Sequence, residues 1–257
     1  MKGKRAVRRI LTGFFALVFC FSAYKIASKL YTDYRERQEF DELKALVDDA
    51  DTQTPPVEKD AEPVVLPEYR ELSERNGDFF GWLKIEDTPI DYPVTHTPED
   101  PQYYLHRSFD KSKSQSGTPF LDAACYEGCG IYIVYGHHMK NGTMFGSLPD
   151  YGKKAFWETH KTIRFDTLYK RGEYEVIAAL YSKIYADGEE GFRYYEYTDL
   201  TDPSVFREYM DNVRAEAIYD TGGEAEYGEN LLVLSTCNYH TDDGRFVVIA
   251  KEKLGEN

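Results

Sequence analysis

Cysteines and basic residues are scarce in this chain of 257 residues, and each scarcity excludes a class of protein. Four cysteines are too few for a small scaffold held together by several disulfides. Residues 1–29 contain seven of the 31 Lys and Arg and no acid. The remaining 24 basic residues are outnumbered by 45 Asp and Glu, so the body lacks the clustered positive charge that binds phosphate backbones. We therefore expect no nucleic-acid partner.

Apolar side chains, in contrast, are plentiful enough to build a folded core. Hydrophobic residues make up 42% of the chain and aromatic residues 15%, which excludes disorder of the whole chain. The 22 Tyr and 15 Phe beside only four Met favour a body rich in β-strands. The length allows one large domain or two small ones.

An apolar run over residues 10–24 follows the first basic cluster. At 15 residues it is shorter than the roughly 20 that cross a bilayer, but Lys25 can snorkel and extend the segment to about Ala27. The positive-inside rule then predicts a single-pass protein of the cell membrane, with a cytoplasmic N-terminus and an extracellular body. A cleaved signal peptide, with weak cleavage sites after Ala23 or Ser28, and a buried soluble helix are the alternatives.

Composition predicts three regions along the chain. Residues 1–29 are the cytoplasmic tail and transmembrane segment. Residues 30–66 combine a charged juxtamembrane helix with an acidic, proline-rich linker. Residues 67–257 form the extracellular domain, whose first helix begins at Pro67.

Short β-like runs dominate the third region and indicate a closed barrel or a sandwich with few helices. One further helix is predicted over residues 203–218, capped by Asp202 and ended by Gly222. The predicted strands are 80–85, 90–94, 118–121, 130–135, 162–165, 173–185, 231–236 and 245–251.

Cys237 ends an apolar run that is typical of a strand buried on both faces. The chain turns through residues 238–244 and continues into a second strand that begins near Arg245. If the two strands pair antiparallel, Cys237 and Arg245 lie side by side, and a thiol needs such a cation or a base to become a useful nucleophile. Alternatively, Cys237 is a small buried hydrophobe and Arg245 a solvated strand-start charge.

Histidines follow the end of another predicted strand. Gly136 breaks the run 131–135, and His137 and His138 come next, a position that suits the lining of a cleft. A surface loop is the alternative for either residue. The other four histidines have polar neighbours and are predicted to be solvated: His96, His106, His160 and His240.

Taken together, these residues resemble the sortase family. The resemblance rests on Tyr135–Phe145, on Leu234-Ser235-Thr236-Cys237 and on Arg245, with Ser235 at a position where the family pattern is not fixed. Further segments resemble class B sortases, and so does the helix at 203–218; these segments are Gly81–Ile85, Ile90–Val94, Tyr103–Leu105 and Gly117–Asp122. The resemblance covers residues 67–253.

The resemblance implies a mainly β fold, a closed sortase-type β-barrel with peripheral helices after an N-terminal membrane anchor. It implies a cysteine transpeptidase of a Gram-positive-type bacterium, which cleaves a C-terminal sorting signal of secreted proteins and passes the thioester-bound product to a peptidoglycan precursor amine. Cys237 would be the nucleophile, His137 the acid–base and Arg245 the donor to substrate or oxyanion. Ser235 and Thr236 would bind substrate. No cofactor or metal is expected.

Other functions remain open at this stage. A Cys–His cell-wall peptidase would hydrolyse peptides instead of transferring them, and a surface adhesin could retain the barrel without catalysis. A pilus-type sortase is a third alternative, which the absence of an apolar tail at Gly255–Asn257 disfavours. Cys125 and Cys129 are predicted to be either two free thiols or a local disulfide.

Overall fold

A computed structural model describes residues 2–49, 64–237, 241 and 243–253. The chain divides into two compact units, Met1–Glu42 and Leu43–Asn257. The predicted proline-rich linker lies mostly on residues 51–63, outside the described residues, as does His240.

Helix α1 covers Lys2–Asp49 without interruption. Its segment Arg9–Asp48 is long and apolar enough to cross a membrane, and large side chains such as Phe14, Phe15 and Leu17 are exposed. A core helix would bury such side chains, which disfavours a buried soluble helix, whereas a signal sequence has the same length and composition. The apolar segment and the predicted juxtamembrane helix are parts of this one helix.

Eight strands form a closed barrel in the order β1-β2-β3-β4-β7-β8-β6-β5. Neighbouring strands are antiparallel except for β2 with β3 and β4 with β7, which are parallel. The barrel confirms the predicted fold class and excludes the sandwich. The strands are β1 Phe79–Lys84, β2 Asp91–Thr95, β3 Phe120–Leu121, β4 Ile131–Tyr135, β5 Thr162–Thr167, β6 Glu173–Lys183, β7 Leu231–Cys237 and β8 Gly244–Glu252.

In the described part of the chain, three further α-helices follow α1: α2 Arg70–Arg75, α3 Lys154–Thr159 and α4 Pro203–Glu216. The Asp202 carboxylate caps α4 by accepting hydrogen bonds from the backbone of Ser204 at 2.7 Å and of Val205 at 3.3 Å. The helix ends at Glu216, two residues earlier than predicted. It ends there because the backbone of Ile218 donates to Ala179 of β6 at 2.9 Å instead of extending the helix.

Strand β7 is the best buried part of the barrel around the predicted site. Leu231, Leu232, Val233 and Leu234 are fully buried, and β4 and β8 flank the strand on either side. Only its last residue, Cys237, is exposed. The strand therefore holds its carboxyl end rigidly at the rim of the barrel.

Candidate active site

Cys237 and Arg245 are opposite each other across the antiparallel pair β7–β8. This is the pairing that the sequence predicts for the turn at residues 238–244. The Cys237 thiol is exposed. The Arg245 guanidinium donates through Nη1 to the backbone carbonyls of Asp243 at 3.1 Å and Gly244 at 3.0 Å, which holds the end of this side chain beside the start of β8.

His137 approaches Cys237 from the other neighbouring strand. The parallel register of β4 and β7 ends where Tyr135 pairs with Ser235, and continuing it by two residues beyond the end of β4 would bring His137 level with Cys237. Level residues on paired strands direct their side chains to the same face. Continued in this way, the register aligns His137 with the observed pair Cys237–Arg245 at the ends of β4 and β7 and the start of β8, and we call these three residues the rim row.

Two hydrogen bonds hold the ends of β4 and β7 together beside the rim row. The Gly136 amide donates to the Ser235 carbonyl at 3.1 Å, and the Thr236 hydroxyl donates to the Gly136 carbonyl at 2.7 Å. Glycine is required at position 136, because a Cβ there would be only 2.7 Å from the Phe145 ring. The residue that precedes His137 is therefore constrained by packing against Phe145.

The His137 ring is half-buried and has one defined hydrogen bond. Its Nε2 is 2.8 Å from the Leu105 carbonyl oxygen, and since a carbonyl can only accept, Nε2 carries a proton. In the neutral ring, Nδ1 is then the nitrogen that accepts protons. Burial lowers the pKa of His137; the Leu105 bond opposes this effect, and the nearby charge of His106 adds to it.

His138 contacts a different part of the same strand end. Its Nδ1 is 3.0 Å from the backbone carbonyl oxygen of Cys237. The imidazoles of His137 and His138 thus have different partners, as expected if the chain stays extended. The partner of His138 is nevertheless the backbone of Cys237. His138 is therefore not counted in the rim row.

The hydroxyls of Ser235 and Thr236 point into the protein. Both residues are buried, the Thr236 hydroxyl donates to Gly136, and the Ser235 hydroxyl is 2.7 Å from the Tyr194 hydroxyl. Burial raises the pKa of Tyr194 to about 12, so this group remains a neutral hydroxyl beneath the rim row. The predicted contact of Ser235 and Thr236 with substrate stays a prediction, and in this structure their hydroxyls support the end of strand β7.

Three residues near the rim row were missed at the level of sequence: Leu105, His106 and Tyr194. Leu105 acts through its backbone carbonyl, which carries no residue-type signal. The segment Tyr103–Leu105 is part of the class B resemblance, and this was the only signal that could have drawn attention to it. Tyr194 lies among several similar tyrosines in an irregular segment, where nothing distinguishes the one that is buried.

Cys125 and Cys129 are free thiols in the interior. Of the two alternatives that the sequence left open, two free thiols or a local disulfide, the structure therefore shows the first. The Cys129 thiol donates to the Ile131 carbonyl at 2.8 Å. A hydrogen bond with Cys129 and burial both raise the pKa of Cys125, which keeps that thiol protonated. Neither thiol is accessible, unlike Cys237.

Replacing Cys125 and Cys129 together with Ala is expected to leave transfer activity within about twofold of the parent. The free energy of unfolding should fall by about 1–3 kcal/mol, because two small cavities form in the interior. Urea unfolding and peptide-transfer assays on the same preparation measure both quantities. Loss of transfer in a variant that remains folded would mean that the interior thiols take part in the chemistry.

Within the described ranges, no group of three or more His, Cys, Asp or Glu could hold a metal ion. A cavity of about 520 Å³ lies between α4 and β6, but its lining, which includes Ile177, Val213 and Thr221, contains no residue of the rim row. A thiol with an imidazole and a guanidinium at a barrel rim defines a cysteine-dependent acyl-transfer or peptidase site.

Comparisons with known proteins narrow this class. A family model described as the Sortase domain matches residues 83–253. Sortase B of Listeria monocytogenes is 31% identical over 98% of each chain, and Sortase B of Staphylococcus aureus is 28% identical over 98% of this chain and 97% of that protein. The crystal structure of sortase B from Bacillus anthracis superposes with a TM-score of 0.72 at 26% identity, covering 87% of this chain and 98% of that one.

The chain belongs to the sortase family. Its fold is that of the sortase B structures, and its activity is sortase-type transpeptidation through a cysteine. The resemblance to class B sortases that the sequence motifs indicate is thereby confirmed.

Proposed function

We propose that Cys237, His137 and Arg245 are the catalytic residues, and that the substrates are C-terminal sorting signals of secreted proteins. The acceptor is an amine of a peptidoglycan precursor. This proposal is supported by the exposed thiol of Cys237 at the end of β7, by its pairing with Arg245 of β8, and by the position of His137 two residues after the end of β4, the other neighbour of β7. No cofactor is needed, because acyl transfer between amines conserves electrons.

In the first half-reaction the Cys237 thiolate attacks the scissile carbonyl carbon. A thioester bond forms, the peptide C–N bond breaks, and the His137 imidazolium gives its proton to the leaving amine. In the second half-reaction, neutral His137 takes a proton from the incoming amine. A new amide bond forms as the thioester breaks, and the thiolate is restored.

The lowered pKa of His137 sets a condition on this cycle. The reactive form pairs an imidazolium with a thiolate, and burial disfavours the charged imidazolium. Burial therefore works against the protonated form of His137 that gives its proton to the leaving amine. Nδ1 is the nitrogen that exchanges the proton, since Nε2 is bonded to Leu105.

Arg245 donates hydrogen bonds to the substrate backbone or to the oxyanion of each tetrahedral intermediate. Arg245→Lys is expected to lower kcat/KM by about 10²–10³-fold, because a single ammonium cannot replace a planar set of donors. Steady-state transfer kinetics on a fluorogenic sorting peptide measure the loss. Arg207→Lys, on the exposed face of α4, is the matched control and should behave as the parent.

A nearly unchanged rate for Arg245→Lys would contradict this role and leave Arg245 as a turn-holding residue. Its bonds to Asp243 and Gly244 would then be its whole contribution. Labelling of Cys237 with iodoacetamide, run alongside, shows whether the neighbouring thiol is intact in the variant.

The protein is a single-pass protein of the cell membrane of a Gram-positive-type bacterium. Residues 1–29 form the cytoplasmic tail and anchor, residues 30–66 the juxtamembrane helix and linker, and residues 67–257 the extracellular catalytic domain. The seven basic residues of the first region and the apolar part of α1 support this arrangement.

Protease added to intact protoplasts is expected to degrade the catalytic domain and to spare a short N-terminal fragment. An epitope tag at residue 1 identifies the spared fragment on a blot. Mature protein that begins after residue 23 or 28 would contradict the anchor and identify a cleaved signal peptide instead.

A panel of quenched sorting-signal peptides, incubated with and without a peptidoglycan-type amine, tests the proposed reaction. Transpeptidation predicts that the amine accelerates turnover and appears in the product mass. Cleavage at equal rates with and without amine, yielding only free acid, would instead indicate a Cys–His peptidase. The remaining alternative is a pilus-type sortase. Including substrates of pilus-type sortases in the panel tests it, because such an enzyme would prefer a different acceptor amine.

A further inference from the structure

Two consecutive residues of one short turn contact the His137 ring. The 3-10 turn Tyr103–His106 places the Leu105 carbonyl against the edge of the ring, 2.8 Å from Nε2. The next residue, His106, stacks on the face of the ring, with centroids 5.4 Å apart and planes inclined by 23°. The His106 side chain itself is exposed, in agreement with its polar sequence neighbours.

The turn that carries His106 is fixed by hydrogen bonds to its buried neighbour Tyr104. The buried Tyr104 hydroxyl accepts from the Asn76 amide at 2.7 Å and donates to the Asp78 carboxylate at 2.8 Å. The backbone of Thr118 donates to the Tyr104 carbonyl at 3.1 Å. Gly117 lies so close that a Cβ there would be 2.5 Å from the Leu105 carbonyl oxygen. A contact made by this turn is therefore made by a rigid support.

The two contacts constrain different motions of the imidazole. The hydrogen bond to Leu105 fixes Nε2 but leaves the ring free to tilt about that bond. The His106 face blocks the tilt, so Nδ1 keeps one direction relative to the rim row. Since proton transfer depends steeply on geometry, a ring that tilts by a fraction of an ångström at Nδ1 loses rate without losing substrate affinity.

The charges around His137 define what His106 adds besides contact. Among the described residues, the titratable group that stacks on the His137 ring is His106, which belongs to the 3-10 turn. The other two residues of the rim row, Cys237 and Arg245, are also titratable or charged. His138 bonds to the Cys237 carbonyl. When His106 is protonated it disfavours the His137 imidazolium, which is the form that protonates the leaving amine.

We propose that His106 is a positioning residue for His137, holding its ring by stacking so that Nδ1 is directed to the reacting amine. The proposal rests on the proposed function, in which His137 is the acid–base residue. His106 itself touches neither the thiol nor the scissile bond.

His106→Ala and His106→Phe separate the two contributions. The alanine variant should lose about tenfold in kcat with KM nearly unchanged, because the ring is no longer held. The phenylalanine variant keeps a flat face without a charge, so it should recover most of the kcat. In both variants the pKa of His137 should rise, because the electrostatic effect of His106 that lowers it is removed.

Transfer kinetics across pH and an NMR titration of the His137 imidazole are measured on the same variants. The resonance is assigned by its loss in His137→Ala. His160→Ala is the matched control, because His160 also stacks on a ring, that of Phe156, but outside the rim row. It should leave both the kinetics and the His137 titration unchanged.

Parent-like kcat in His106→Ala, together with an unchanged His137 titration, would overturn the proposal. So would a phenylalanine variant that is as slow as the alanine variant while its near-UV circular dichroism matches the parent. The titration needs no substrate, so it still tests the His106 contact if every sorting peptide fails to react, which would be a failure of the proposed function instead.

Discussion

Cys237→Ala is expected to abolish both cleavage and transfer, a loss of about 10⁴-fold or more, because no other thiol occupies the rim row. Cys237 is the exposed end of β7, it pairs with Arg245 of β8, and His137 follows two residues after the end of the neighbouring strand β4. Mass spectrometry of enzyme incubated with a sorting peptide should detect a thioester on the parent and none on the variant.

The interior cysteines provide the matched control for this result. The double variant at Cys125 and Cys129 should still form the thioester, and iodoacetamide should label Cys237 in it. A thioester that persists in Cys237→Ala would mean that another residue is the nucleophile. The rim row would then not be the catalytic site. Cys20 belongs to α1, so a soluble domain that starts after the linker excludes it from the assay.

His137→Ala is expected to lower transpeptidation by about 10²–10⁴-fold, the usual contribution of a general acid–base group. His138→Ala should keep most of the activity, because the Nδ1 atom of His138 lies against the backbone carbonyl of Cys237 and its side chain should point away from that of His137 in an extended chain. Single-turnover thioester formation and steady-state transfer, measured for both variants, separate the two half-reactions.

The same pair of variants can contradict the assignment. If His138→Ala were inactive and His137→Ala normal, then the register that extends β4 to His137 would be wrong for the reacting enzyme. The family membership would be unaffected, but the proton would move through the other imidazole. An inactive His138→Ala beside an inactive His137→Ala would instead mean that the bond to the Cys237 carbonyl holds the strand end.

Much of the barrel could be predicted because strand signals are local. The apolar run before Cys237 predicts a strand buried on both faces, and the structure buries Leu231 to Leu234 completely. The turn at residues 238–244 is short enough to set the register, so the pairing of Cys237 with Arg245 could be predicted as well. Helix α4 was predictable from its Asp202 cap.

What could not be predicted depends on contacts between distant residues or on the backbone. The Leu105 carbonyl contacts His137, which is 32 residues away in sequence. Every residue has a backbone carbonyl, so the residue type gives no signal for this contact. His106 has polar neighbours and was assigned to solvent, yet its ring stacks on His137. Helix α3 was missed because Lys153 provides no side-chain cap and the helix has only six residues.

The parallel pairing of β4 with β7 has a consequence for folding. Arg245 is eight positions from Cys237 and can reach it through a local hairpin, whereas His137 is 100 positions away. Contacts across such long loops form late, because the entropy of loop closure has to be overcome first. We therefore expect Cys237 to remain an ordinary thiol through most of refolding and to gain its imidazole only when the barrel closes. Recovery of activity thus reports the closure of the β4–β7 pair, and it should lag behind the recovery of secondary structure.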